Sequence, residues 1–282
     1  MLVAERCSSI WECDKDTCLG SKSSTHIQAK EYRMRISIIT VCFNSGATIR
    51  DAIESVRAQT FNDIEYIVVD GGSSDETLAI IAEYDDFISK VVSEPDDGIY
   101  DAMNKGISLA TGDVVGIINS DDVLFDNHVI ETIADAFQKD RTCDAVYADL
   151  VYVKRKNLDA VSRKIVAPSF GIWKIRFGFI MPHPAFYARR ELFSRLGNYK
   201  LTYRVAADFE LMARFLLSGI SVKRVPITAV KMREGGISSN GFWWRVHQNF
   251  EIVRACKENG LYTNILMISM KLPSKLISFL KR

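Results

Sequence analysis

Val114-Val115-Gly116-Ile117-Ile118-Asn119-Ser120-Asp121-Asp122 is apolar on both faces for five residues and then ends in two adjacent carboxylates. A run too short for a helix and buried on both sides is the signature of a strand in a parallel sheet covered by helices on each face. Similar runs occur upstream at Ile36 to Cys42, Ile64 to Val69 and Ile88 to Val92, and downstream at Ala145 to Val153. Segments of helical period separate them. Ile49, Ala52, Ile53 and Val56 fall on one face, as do Ile99, Ala102, Met103, Ile107 and Ala110, and Val129, Ile130, Ile133, Ala134 and Phe137; a short helix is expected from Thr77 to Tyr84. Asn44 or Ser45, Asp97 and Asp126 are the expected N-caps. Alternating strands and helices give an α/β fold with a mostly parallel, Rossmann-like sheet.

In open sheets of this kind ligands bind beyond the carboxyl ends of the strands. Polar side chains collect there: Thr40 and Asn44 after the first strand, Asp70 after the second, Glu94 and Asp96 after the third, Asp121 and Asp122 after the fourth. The acidic pair has no basic residue between Gly112 and His128. Two neighbouring anions gain most from a hard divalent cation, Mg²⁺ or Mn²⁺, which one or two carboxylates hold together with substrate phosphates. An Asx turn leading into the next helix is the competing structural explanation for the pair.

The 282 residues carry 36 Lys+Arg and 35 Asp+Glu, so the net charge of +1 offers no footprint for nucleic acid. Charge is uneven, however: Lys154 to Arg190 holds nine basic side chains against Asp159 alone. Such a face suits phosphates or anionic lipid. The six cysteines show no CxxC spacing and are expected as free thiols in a reducing cytoplasm, and Cys7, Cys13, Cys18 and His26 fit no common zinc pattern. Residues 1–33 are polar and aperiodic, which suggests a disordered tail or an over-extended reading frame with the folded domain starting at Met34. Neither end has the apolar length of a signal peptide core or a spanning helix. Leu261 to Arg282 combines apolar residues with Lys271, Lys275, Lys281 and Arg282, a basic amphipathic stretch of the kind that lies on membrane surfaces.

Three further segments sharpen the picture. Ser37-Ile38-Ile39-Thr40-Val41-Cys42-Phe43-Asn44, Tyr66-Ile67-Val68-Val69-Asp70-Gly71-Gly72-Ser73-Ser74-Asp75-Glu76-Thr77 and Ser93-Glu94-Pro95-Asp96-Asp97-Gly98-Ile99-Tyr100-Asp101-Ala102-Met103-Asn104-Lys105-Gly106 together resemble family 2 glycosyltransferases. The subgroup they resemble builds bacterial exopolysaccharide, colanic acid, capsule or O-antigen repeats. Asn119-Ser120-Asp121-Asp122 is similar to that family's DxD motif, with Asn119 in place of a first acid. The resemblance runs from Arg35 to about Gly241. It implies the GT-A fold, a nucleotide-diphosphate sugar donor (UDP by default), a divalent metal and inversion at the anomeric carbon.

On this resemblance Thr40, Val41, Phe43, Asn44, Asp70, Asp101, Asn104, Lys105 and Asp121 are the expected nucleotide-sugar contacts, and Asp122 with Asp121 the expected metal ligands. How the metal is shared between Asp121 and Asp122 stays open. Val205-Ala206-Ala207-Asp208-Phe209-Glu210-Leu211 is similar to the family segment carrying the general base. Asp208 is the expected base, with Glu210 the alternative and a helix cap the structural reading. His183, set between two prolines, is an expected contact of acceptor or diphosphate. Glu234-Gly235-Gly236-Ile237-Ser238-Ser239 suits a lid, and Trp243-Trp244-Arg245 departs from the QxxRW signature of processive members, favouring transfer of one sugar.

The expected organisation is a tail at 1–33, a GT-A domain at 34–241 (34–125 for the donor, 126–241 for the acceptor) and C-terminal helices at 242–282. The expected partners are the donor, a lipid-linked saccharide acceptor, a membrane surface met through 261–282 and a second copy of the chain. The expected place is the cytoplasm, peripheral on the inner face of the cell membrane. A GT-A module that has lost catalysis and only binds nucleotide-sugar or a partner is the alternative. A dinucleotide oxidoreductase is disfavoured because no GxGxxG follows the first strand.

Overall fold

The computed structural model describes residues 34–167, 170–235 and 241–270. The expectations placed on residues 1–33, on Gly236 to Ser239 of the paired-glycine loop and on 271–282 therefore lie outside the described residues.

The first half is β1 (Ile36–Cys42), α1 (Ile49–Arg57), β2 (Ile64–Asp70), α2 (Thr77–Ala82), β3 (Lys90–Ser93), α3 (Ile99–Leu109) and β4 (Val114–Ile117). Here β1 pairs in parallel with β2 and β4, and β2 with β3. Every residue of β1 is buried, and its alternation shows why. Ile36 and Ile38 join Ile49, Ile53 and Val56 of α1 in one core, while Ile39 and Val41 join Ala102, Met103 and Ile107 of α3 in a second. Each such fully buried aliphatic side chain contributes roughly 2 kcal/mol. Gly106 lets α3 sit close to the sheet, since a Cβ there would fall 2.4 Å from Ile39 Cγ2.

The second half is β5 (Val123–Leu124), α4 (Val129–Lys139), β6 (Ala145–Lys154), β7 (Asn157–Ile165), 3-10 helices at Ile172–Phe177 and His183–Ala185, β8 (Phe186–Arg189), α5 (Arg190–Leu196), α6 (Ala207–Leu217), β9 (Val222–Arg233), α7 (Gly241–Glu258) and α8 (Ile265–Ser269). It extends the same sheet, in the order β3-β2-β1-β4-β8-β6-β9-β5, with β7 on β6. β8 runs antiparallel to both β4 and β6, while β6 and β9 are parallel. The α7 and α8 helices bury Ile252, Ala255, Cys256 and Ile268 in the core that also holds α6.

The expected caps are not the ones used. The N-cap positions of α1, α3 and α4 are Thr48, Gly98 and His128, none of which makes a side-chain capping bond. Gly98 has φ 109°, a turn that suits glycine and carries the chain into α3. Asp126 instead accepts from the His128 N–H at 2.9 Å, just outside the helix. Cys42 and Cys143 are buried free thiols, and Cys256 is buried as well.

Candidate active site

The loops after β1 and β2 are laced together. Asn44, with φ 47°, accepts from Ser74 N at 2.9 Å and donates its own N–H to Ser73 Oγ at 2.8 Å. Asp70 is fully buried. One of its oxygens accepts from Gly72 N (3.1 Å), Ser73 N (2.9 Å) and Ser93 Oγ (2.7 Å), the other from Ser73 Oγ and, at 3.6 Å, Cys42 Sγ. Burial alone would raise its pKa; these donors outweigh it and hold the carboxylate below its usual range. Of the residues expected to meet the nucleotide here, Thr40 and Val41 are buried, with Tyr66 Oη donating to Thr40 Oγ1 at 2.9 Å, whereas Phe43 is exposed.

The corner after β4 is organised differently. Asp122 is 1% exposed, and one carboxylate oxygen accepts from Asn119 Nδ2 at 3.1 Å. Its other oxygen and the amide oxygen of Asn119 are buried with no hydrogen-bond partner among the described residues. Burial, then the charge of Asp121, push the Asp122 pKa well above the carboxylate range, against the pull of Asn119 and Arg233. Arg233, brought in by the end of β9, donates to Asp121 O at 2.8 Å and pairs with Asp51 of α1. Ser120 Oγ and Ser45 Oγ, 2.8 Å apart, tie this corner to the loop after β1. Asp121 is only half-buried.

Among the described residues, no group of three or more His, Cys, Asp or Glu forms a complete metal cage. The corner nevertheless fits a hard cation. Its donors are all oxygens, its acceptors outnumber its donors, and a cation bound by one or two carboxylates completes its shell with ligand phosphates. Asn119 therefore does more than replace an acid: its amide nitrogen holds Asp122 while its oxygen stays unpartnered.

On α3, Lys105 pairs with Glu94 at 2.9 Å and with Asp101 at 3.4 Å, so its charge is met by acids of its own neighbourhood. Asn104 clamps the backbone of Tyr199, donating to its carbonyl and accepting its N–H, both at 2.9 Å. The clamped Tyr199 belongs to the surroundings of Asp208. Tyr100 stacks on it with ring centroids 5.6 Å apart, donates to Val205 O at 2.9 Å and lies 3.4 Å from Asp208 Oδ1. His183 Nε2 and Tyr199 Oη are 2.6 Å apart. Burial lowers the His183 pKa, opposed by the charge of Asp208.

Asp208 lies in the first turn of α6, half-buried, with Oδ1 taking the Phe209 N–H at 2.7 Å. The backbone leading into α6 is held by a second carboxylate. The carboxylate of Glu251, on α7, accepts the N–H groups of Arg204, Val205 and Ala206 at 2.8, 2.9 and 2.8 Å. Burial would raise the Glu251 pKa, but these amides lower it overall. The alternative base, Glu210, is engaged by protein partners. Glu210 is fully buried between Lys200 (2.8 Å) and Arg214 (3.0 Å), and Arg214 continues to the carbonyls of Gly197 and Asn198. It fastens α6 to the preceding loop.

A cavity of about 720 Å³ opens beside Asp208, bounded by Tyr100, Leu201, Val205, Trp243, Trp244 and Phe250 among others. Tyr100 and Val205 belong to both the cavity wall and the setting of Asp208. Tyr100, Ser120 and the Ser73–Ser93 pair stand inside or beside the motifs already quoted. Glu251 and Arg233 carry no local sequence signal.

The comparisons agree with this architecture. The family model for "Glycosyl transferase family 2" matches residues 37–197. A PGL/p-HBAD biosynthesis glycosyltransferase of Mycobacterium bovis (strain BCG / Pasteur 1173P2) is 31% identical over 208 residues, covering 72% of this chain and 78% of the relative. Staphylococcus aureus TarS 1-349 in complex with UDP-GlcNAc superposes with TM-score 0.63 at 19% identity, over 79% of this chain and 66% of that one. A Pyrobaculum calidifontis mannosyltransferase in complex with GDP-Man and Mn²⁺ gives TM-score 0.60 at 20% identity, over 81% and 64%. This chain thus spans just under two thirds of those solved structures, and the likeness to them establishes the mixed α/β fold that the GT-A resemblance implied. With its family motifs at the strand ends and the family model covering more than half of its length, the chain belongs to glycosyl transferase family 2 and is a glycosyltransferase.

Proposed function

We propose that the protein moves one sugar from a nucleotide-diphosphate sugar to a hydroxyl of a lipid-linked saccharide acceptor, with inversion, in the assembly of a surface glycan. The observation that carries this reading is the corner after β4, where Asn119 and Asp122 present buried, unpartnered oxygens beside Asp121. A buried polar atom without a partner costs about 1–3 kcal/mol, so the free protein holds in reserve an interaction that a ligand completes. Asp121 and Asp122 would hold Mg²⁺ or Mn²⁺, which supplies Lewis-acid stabilisation of charge on the departing diphosphate. The complexes of the structural neighbours with UDP-GlcNAc, and with GDP-Man and Mn²⁺, support a nucleotide-sugar donor here.

Asp208 supplies the base. Its carboxylate takes the proton of the acceptor hydroxyl while that oxygen bonds to the anomeric carbon, and the bond to the diphosphate breaks with its electron pair leaving on the diphosphate oxygen. Glu251 fixes the backbone entering α6 and so the direction of Asp208. His183, Tyr199 and Tyr100 wall the base in, and the cavity bounded by Tyr100 and Trp244 receives the acceptor.

The test is a thermal-shift screen of UDP, GDP and dTDP with and without Mn²⁺. A metal-dependent rise of about 5 °C or more at saturating ligand is expected for one of them. Asp208→Asn should keep that shift and lose roughly 10²- to 10⁴-fold in transfer. Near-normal turnover in that variant would remove Asp208 as the base, and stabilisation by NAD with no metal-dependent nucleotide effect would overturn the whole reading.

A further inference from the structure

Away from the cleft, two neighbouring elements expose apolar side chains that water does not favour. The 3-10 helix Ile172–Phe177 turns Ile175 into the core but leaves Ile172 and Trp173 exposed, Trp173 by 64%, and Phe179 follows. The short α8 does the same: Ile268 is buried, while Ile265, Leu266 and Met270 are exposed, Leu266 by 73%, with Tyr262 exposed just before it. The two elements are fastened together. Thr263 Oγ1 donates to the carbonyl of Arg176, Cys256 Sγ lies 3.7 Å from Ile175 O, and Ile175 and Ile268 share one core.

Charge is one-sided across both elements. No acidic residue occurs between Asp159 and Glu191, nor from Leu261 to Arg282. Lys174 and Arg176 sit within the exposed 3-10 helix, with Lys174 Nζ 5.8 Å from the centre of the Trp173 ring. No helix among the described residues is long and apolar enough to cross a membrane.

We propose that the segment 172–179 and α8 together form a docking surface for an anionic phospholipid bilayer. Trp173 and Leu266 enter the interfacial layer, where amphipathic aromatic rings and apolar side chains are favoured. Lys174 and Arg176 meet the head groups. A symmetric dimer through this face is disfavoured, because a two-fold interface lays a surface against its own copy and would bring two acid-free, basic patches together. The proposal goes beyond the contact expected for 261–282, since it assigns half of the surface to a segment some ninety residues earlier in the chain. It would place a lipid-linked acceptor and the enzyme on one surface, yet requires no glycosyl transfer.

The test is co-sedimentation of the full-length protein with vesicles of phosphatidylcholine alone or mixed equally with phosphatidylglycerol, without donor or metal. The protein should bind the mixed vesicles more strongly, and salt should weaken the binding. Trp173→Ala with Leu266→Ala should lower partitioning roughly tenfold or more, with an unchanged melting temperature because both side chains are exposed. Arg176→Gln should lower it roughly fivefold at low salt. Failure of the wild type to bind mixed vesicles would overturn the proposal. So would a double variant that binds like the wild type, which would leave the contact to 271–282 alone, or a concentration-dependent dimer that the same substitutions dissolve while vesicles are ignored. Because no donor is present, loss of vesicle binding and loss of transfer remain separate results.

Discussion

Asp70 and Asp122 carry the same chemical group, Asp70 ends β2 and Asp122 follows β4, the two strands that pair with β1, and both are buried to 1% exposure or less. Their surroundings are opposite. Asp70 gathers donors on both oxygens from Gly72, Ser73 and Ser93, and its pKa falls despite burial. Asp122 has one donor, an orphaned oxygen and a like-charged neighbour, and its pKa rises. Burial alone therefore does not distinguish the two; the state of their hydrogen bonding does. A satisfied carboxylate braces its loop, and an unsatisfied one keeps capacity for a ligand.

That contrast can be broken by substitution. The largest effect on stability is expected from Asp70→Ala, which strands several buried donors and should cost about 3–5 kcal/mol in urea unfolding. A loss below about 1 kcal/mol would mean that the hydrogen bonds gathered on Asp70 do not hold the fold. A second satisfied carboxylate, Glu65, sharpens the rule. It accepts from Ser37 Oγ (2.6 Å), Thr111 N (2.7 Å) and Lys90 Nζ (2.9 Å), joining β1, β2 and β3 to the end of α3. Burial raises its pKa, and these donors more than reverse that, leaving it at about 2 against the usual 4.5.

Because the folded pKa is depressed, the stabilisation is present above the unfolded value and is lost as pH falls from 4.5 towards about 2. The shift is worth roughly 3 kcal/mol at neutral pH. Urea midpoints measured across that window should fall more steeply for the wild type than for Glu65→Gln, and equal slopes would contradict the network. The smallest effect is expected from Asp122→Asn, which removes a charge from a buried place short of donors. Its ligand-free stability should change by less than about 1 kcal/mol, read from the same urea curves. A loss as large as that of Asp70→Ala would erase the distinction between the two aspartates.

Much of this is legible in the sequence. β1 was expected over the residues it occupies, because a short run apolar on both faces has few alternatives. Asp121 and Asp122 stand out by residue type and by their place after a strand, whereas Asp208 is marked by the resemblance of Val205 to Leu211 to a family segment. The second half was less legible. β9 contains Lys223, Arg224, Pro226 and Lys231 and shows no clean alternation, so neither the strand nor the delivery of Arg233 to Asp121 was foreseen. Glu251 is invisible for a different reason: it holds the backbone leading into α6 from another helix, across more than forty residues, where no local pattern reports it. The expected roles of Asn104 and Lys105 rested on their motif, and the structure commits both to protein partners, Tyr199 in one case and Glu94 with Asp101 in the other.

The central claim, that the unsatisfied corner of Asn119, Asp121 and Asp122 is where a metal and a nucleotide diphosphate meet the protein, is tested most directly by titration calorimetry with Mn²⁺ and the nucleotide selected in the thermal-shift screen. The wild type should bind the nucleotide in a metal-dependent manner, and Asp122→Asn, folded and equally stable, should lose roughly tenfold or more in affinity, as expected when a carboxylate ligand is withdrawn from a hard cation. Binding by Asp122→Asn that matches the wild type in both affinity and metal dependence would contradict the account.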